Sequence, residues 1–132
     1  MAIQLSVAVR NARLDAIETA IGASAVMKIR TGAKPANCAA ADSGDVLATI
    51  ALPADWMAAA SAGSKVKAGS WTGTGAAAGV AGYFRIVDNA GTTAHIQGTC
   101  GQGTGDMSLD NTNIAVAQTV TVNTFTLNAA NT

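Results

Sequence analysis

The chain has 132 residues, 8 basic and 8 acidic, for a formal net charge of zero, and only 12% of the residues are charged. That length suits a single domain, 1–132, able to bury roughly two thirds of its unfolded surface. The charge balance argues against a nucleic-acid surface or an acidic tail, and sparse charge on an Ala- and Gly-rich exterior favours contact with other protein.

The opening MAIQLSVAVRNARLD does not have the form of a signal peptide: its apolar part is short, and Arg10 and Arg13 follow it. No run approaches the roughly 20 apolar residues of a membrane helix, so the expectation is a chain made in a cytoplasm with no membrane partner. Ser6 supplies an N-cap and Gly22 a stop for a helix over about 6–21. At roughly 100° per residue, Val7, Leu14, Ile17 and Ile21 gather on one side, while Val9, Ala12, Ala16 and Ala20 make a second stripe of small residues. Asn11, Asp15, Glu18 and Thr19 are left for the solvent side. Arg10 falls within the large apolar stripe, which calls for a helix end emerging from cover or a carboxylate partner. The two stripes read either as one wide core face or as a core face plus an Ala ridge that meets a partner.

Ala25 to Arg30 alternates Met27 and Ile29 with Lys28 and Arg30 and predicts a strand. Residues 31–44 are a loop by their Gly, Pro, Asn and Asp content, with Asp42 and Asp45 as turn residues. Val46 to Leu52 predicts a second strand with Val46, Ala48, Ile50 and Leu52 on one face, stopped by Pro53. Ala54 to Gly69 admits a short helix or an edge strand around Trp56 and Met57, and Lys65-Val66-Lys67 alternates like a strand. Ser70 to Ala81 is glycine-rich and should enter the next strand through a bulge or an extended edge.

Gly82 to Thr99 reads as a β-hairpin around which a sheet can be assembled. Asp88-Asn89-Ala90-Gly91 has the Asp and Gly of a type I turn. With Asp88 opposite Thr92, Phe84 faces Ile96 and Ile86 faces Ala94 on an apolar side. Tyr83 then faces Gln97, Arg85 faces His95 and Val87 faces Thr93 on the other. Gly98 to Gly105 is a flexible loop and Asp106 to Asp110 a short strand. In Ile114 to Leu127 the apolar positions are even through Val122 and odd from Phe125, so a bulge near Asn123-Thr124 is needed to keep one face. The whole predicts a mainly β chain, an antiparallel β-sandwich or jelly-roll-like sheet over about 25–128 with unpaired edge strands, and one N-terminal α-helix.

Chemistry is sparse. Gly73 to Gly79 lacks the preceding strand, following helix and Gly-Lys-Ser/Thr of a phosphate loop, so a structural turn is expected. His95 has no ligand-spaced partner and reads as a polar strand residue. Cys100 has no cation or helix N-terminus nearby in sequence to make it a nucleophile; Cys38 and Cys100 could pair, but two cysteines make no disulfide framework and two free thiols are the preferred reading. Asp106, Asp110, Asn111 and Asn113 miss the order of an EF-hand and read as turns. No catalytic residue, cofactor or metal is expected. Trp56, Trp71 and Tyr83 offer either core packing or a sugar- or partner-binding face.

Leu5-Ser6 with Arg10-Asn11-Ala12-Arg13, Arg30-Thr31-Gly32 with Pro35-Ala36, and Leu47-Ala48-Thr49 follow one another along the chain. Gly82-Tyr83-Phe84-Arg85-Ile86, Asp88, Gly91-Thr92, Gly98-Thr99 and Val120 to Leu127 complete the order. In this the chain resembles a family of small proteins encoded among the virion genes of tailed bacteriophages and prophages. The resemblance carries no catalytic signature. It implies a structural virion component, first a head decoration or cement protein bound in many copies to the major capsid protein or other virion proteins, with contacts between its own copies. A connector at the neck, tail or fibre base is the second reading, and a carbohydrate-binding module of a tail-associated protein a remoter one. Under the first, Val9, Ala12, Ala16, Ala20, Trp56, Trp71 and Tyr83 are the candidate partner interface.

Overall fold

The computed structural model describes residues 3–129. Helix α1 spans Val7–Ile21 and is followed by nine strands: β1 Val26–Thr31, β2 Val46–Ala51, β3 Ser64–Val66, β4 Thr72–Gly75, β5 Gly79–Val87, β6 Ala94–Gly101, β7 Met107–Leu109, β8 Asn113–Ile114 and β9 Thr119–Asn128. The helix ends are those its sequence dictates. The Ser6 hydroxyl accepts the Val9 N–H at 3.2 Å, and Gly22, at φ 94°, donates its N–H to the Glu18 carbonyl.

The strands do not stack as two sheets. Hydrogen-bonded neighbours run β1-β2-β4-β9-β7-β6-β5, and β5 then pairs with β1 from Val26↔Val87 to Thr31↔Ala81, which shuts a barrel of seven strands. The expected sandwich or jelly roll is therefore wrong. The expected unpaired edges are absent from the ring, where β1 has a partner on each side, and remain only at the short strands β3 and β8, which each have a single partner. A ring of seven strands cannot alternate direction all the way round, so at least one neighbouring pair must run parallel. That pair is β6 and β7, joined through residues 102–106 only. Parallel neighbours usually need a far longer crossover. Here Gly103 and Gly105, at φ 75° and 81°, let the chain double back, and the Asp106 carboxylate fixes the return by accepting the Thr99 N–H at 2.9 Å.

Several local expectations hold. In the hairpin the Gly91 N–H donates to the Asp88 carbonyl, and the Asp88 carboxylate accepts the Thr92 N–H at 2.9 Å. The strands pair two residues further along than expected, with Arg85 opposite Gln97 and Ile86 opposite Ile96. Because side chains alternate with period two, that slip leaves Tyr83, Phe84, Arg85, Ile86, Ile96 and Gln97 on their expected faces, whereas Ala94, beyond the bulge, turns outward opposite Val87. A bulge between Ile86 and Val87 makes His95 the extra residue, exposed at the surface rather than facing Arg85. In β9, Ser108↔Thr124 is followed by Leu109↔Val122, so Asn123 is the extra residue and Val120, Val122 and Phe125 all stay buried. Gly98 to Gly101, expected in a flexible loop, belongs to β6. In β2 a register shift opposite Ile29 and Arg30 turns Leu47 inward, and Val46 is only half-buried.

Met27, Ile29, Ile50, Phe84, Ile86, Met107, Leu109, Val120, Val122 and Phe125 form the interior, joined by Leu52, Trp56, Met57 and Trp71. The rings make a continuous run: Trp56 to Trp71 at 6.1 Å, Trp71 to Phe125 at 5.2 Å, and Phe125 edge-on to Phe84 at 5.6 Å. Such pairs add about 0.5–1.5 kcal/mol each beyond the area they bury.

Candidate functional site

The helix docks with its large apolar stripe and also with part of its polar side. Asn11, Asp15 and Glu18, expected in solvent, face the segment 57–65. The Asn11 Oδ1 accepts the Gly63 N–H at 2.9 Å, Asp15 Oδ1 accepts the Ala60 N–H at 3.0 Å, and Glu18 Oε1 accepts the Met57 N–H at 3.3 Å. Lys65, 2% exposed on β3, completes this latch. Its ammonium donates to Asp15 at 2.7 Å and to the Ala58 carbonyl at 2.9 Å, and pairs with Glu18 at 3.0 Å. Burial alone would pull the Lys65 pKa down. The bonds to Asp15 and Glu18 outweigh burial and raise it above its ordinary 10.5. The Lys65 bond likewise holds the Asp15 carboxyl below its ordinary 3.8, assisted by the Ala60 N–H. Arg10, expected either at a helix end emerging from cover or beside a carboxylate, donates to the Ala129 carbonyl at 3.4 Å.

Leu14 and Ile21 are buried on the same side, flanked by these polar groups. The consequence is an outward face built from Val9, Ala12, Ala16 and Ala20, all exposed. Of the candidate interface residues, these four stand at the surface on one helix face.

The aromatic candidates do not. Trp56, Trp71 and Tyr83 are each 0% exposed, so they cannot offer a sugar- or partner-binding face. The Trp56 and Trp71 indole N–H groups donate to the Gly22 and Ala68 carbonyls, both at 3.0 Å. Tyr83 lies on the outer wall of the barrel but under the loop of residues 32–45. Its hydroxyl donates to the Ser43 carbonyl at 2.6 Å and accepts the Ser43 N–H at 3.1 Å.

The same loop is pinned by Arg85, which is 3% exposed. Its guanidinium donates to the Asn37 and Ala40 carbonyls at 3.0 and 2.9 Å and to Gln97 Oε1 at 3.1 and 3.0 Å. It also bonds Asp42 at 2.8 Å, and Asp42 accepts Arg30 at 3.1 Å. Sequence reasoning took Asp42 for a turn residue and missed both this network and Lys65. A signal for the first existed: Arg85 interrupts an otherwise apolar run, Phe84-Arg85-Ile86-Val87, and a charge in such a run needs a partner.

Other candidates prove structural. Gly73 to Gly79 runs through β4 and a turn straight into β5, with no helix to cap an anion. Cys38 and Cys100 are free thiols, and burial, with the charge of Asp106, pushes Cys100 up to about 12. Asp110 and Asn111 accept backbone N–H groups of their own turn. Among the described residues no three His, Cys, Asp or Glu side chains stand close enough to hold a metal, and no helix is long and apolar enough to cross a membrane. No protein-family model matches the chain, and neither a curated protein nor a solved structure matches it significantly.

Proposed function

We propose that this chain is a structural protein of a phage particle, a decoration or cement protein that binds the assembled head shell through the outward face of α1. The outward ridge of small residues on α1 carries this reading. An amphipathic helix ordinarily turns its apolar stripe to the core and its polar stripe to water. Here Leu14, Ile17 and Ile21 face the core and Asn11, Asp15 and Glu18 are used inward beside them, so the side left outward is a ridge of Val9, Ala12, Ala16 and Ala20. Small side chains let another backbone approach closely, which favours burial of this ridge against a partner. The sparse surface charge and the sequence resemblance to phage virion proteins support the same reading. The partners would be the major capsid protein or other virion proteins together with neighbouring copies of this chain, and the location would be the virion. A protein that binds the assembled shell and not its dispersed subunits stabilises the shell by mass action, with no turnover required.

Because the barrel ring has no open edge, the contact would be made by side-chain surfaces and not by strand addition to it. Quantitative mass spectrometry of purified particles tests the assignment: a copy number comparable to the capsid subunit is expected. A far lower number points to a connector at the neck, tail or fibre base. Ala16→Glu should leave the barrel folded by circular dichroism yet reduce the protein's occupancy on particles. Unchanged occupancy of the folded variant would sink the assignment of α1 as the contact.

A further inference from the structure

The outer wall of the barrel carries an electrostatic conflict. β1 and β5 place Lys28 directly opposite Arg85, and Arg30 follows two residues along β1. Like charges opposite one another in a ladder are destabilising. The carboxylate that answers them is Asp42, and it is already shared between Arg85 and Arg30. Arg85 places its other donors on Asn37, Ala40 and Gln97. The Arg30 Nε is buried without a partner. Among the described residues, Lys28 has no side-chain hydrogen bond or ion pair within reach. Three cations against one carboxylate leave a local excess of positive charge, and that excess is not spread over a convex surface. Lys28 lines a recess of about 210 Å³, with Arg85 and Val87 beneath, the segment 38–42 on one side and the hairpin tip at Gly91 and Thr92 on the other.

We infer that this recess binds a small oxyanion, a phosphate or carboxylate group, with the Lys28 ammonium as its direct donor. The field of Arg85 and Arg30 lies behind that donor, where partial exclusion of water weakens screening. An ammonium bonded to an oxyanion is among the stronger hydrogen bonds available to a side chain. An anion placed there would also relieve the Lys28–Arg85 repulsion that the ladder otherwise carries. The recess leaves room for a small organic group beyond the anion itself. This site lies on the outer wall between the 32–45 loop and the hairpin tip, and it stands apart from the role assigned to α1.

The experiment uses the full chain as wild type, Lys28→Met and Lys28→Arg. Each is titrated with sodium phosphate and, separately, sodium acetate, against sodium chloride at matched ionic strength. Backbone amide shifts and the thermal midpoint are followed together. A saturable shift confined to residues 38–42 and 91–94, with a rise in midpoint, is expected for wild type and Lys28→Arg. Lys28→Met should lose about ten- to a hundredfold in affinity, the worth of one charge-assisted bond. Saturation with phosphate alone assigns a phosphate group, with acetate alone a carboxylate, and with both a general oxyanion. If Lys28→Met titrates like wild type, if chloride gives the same response, or if no shift occurs at the recess, the inference is overturned.

Discussion

Lys65→Met tests how α1 is held. The methionine keeps most of the aliphatic stem and its packing, and removes only the ammonium. In the native protein that ammonium is 2% exposed and bonded to Asp15, Glu18 and the Ala58 carbonyl. Removing one partner of a fully buried ion pair costs about 3–5 kcal/mol, because a charge is left without compensation. Here the stranded carboxylates have partial access to water, with Asp15 at 49% and Glu18 at 18% side-chain exposure. Both also keep their backbone donors, Ala60 and Met57. The cost should therefore fall below that range, at about 2–3 kcal/mol, which for a domain of this size lowers the thermal midpoint by about 6–12 °C. Urea denaturation at neutral pH measures it: the midpoint should fall with the slope unchanged. Hydrogen exchange should show α1 amides opening before those of the barrel. A loss under about 0.5 kcal/mol, the value of an exposed pair, would refute the latch and leave Leu14 and Ile21 as what holds the helix.

Ala62 and Gly63, at φ 52° and 77°, form a two-residue turn closed by reciprocal Ser61 and Ser64 backbone bonds, and alanine is a poor occupant of a left-handed position. Ala62→Asn should stabilise the protein by about 0.5–1 kcal/mol in urea melts. With the Cys100 thiol raised to about 12 by burial, a thiol-alkylating reagent at pH 8 should modify Cys38 first, as read by mass spectrometry of native protein. Asp15 and Asp88 titrate below their ordinary 3.8, so their stabilisation is fully present above that value and lost as pH falls through the folded values. Lys65 titrates above its ordinary 10.5, so its share is present below that value and lost as pH rises through the folded one. Urea midpoints should thus form a plateau from about pH 4 to about pH 8; above it the Cys100 thiol, ionised in the unfolded chain from about 9.0 but held protonated in the fold to about 12, starts the alkaline decline, and Lys65→Met should remove only Lys65's share of that decline above about pH 10.

What could be read from the sequence was local. Ser6 and Gly22 bound the helix, Asp88 and Gly91 make the hairpin turn, and the change of parity between Val122 and Phe125 places the bulge at Asn123. Each is decided by a few adjacent residues. The closure of the sheet is not, since β1 and β5 meet across about 50 to 60 intervening positions and alternation within either strand is the same whether or not they pair. The helix was misread for the same reason. A stripe of Asn11, Asp15 and Glu18 belongs in water unless a buried cation answers it, and Lys65 is 50 residues away from Asp15. Tyr83 stays open in the sequence between packing and a partner-binding face because its face of β5 points away from the apolar side, and only the covering loop 32–45 makes that face a second interior.

The glycine at position 82 shows how tightly that wall is drawn. It is the extra residue where the β1–β5 ladder shifts, and a Cβ there would collide with the backbone of Gly32.

The order of synthesis gives the ring one further property. β9 is the last of the nine strands to be made, yet it bonds to β3, β4 and β7 at once. Until it leaves the ribosome, β4 lacks one neighbour, and β7, already held by β6, lacks the other. The nascent chain can assemble its hairpins but not shut the cylinder, so a transcript truncated before residue 119 should yield a product that chaperones and proteases clear rather than a smaller working domain.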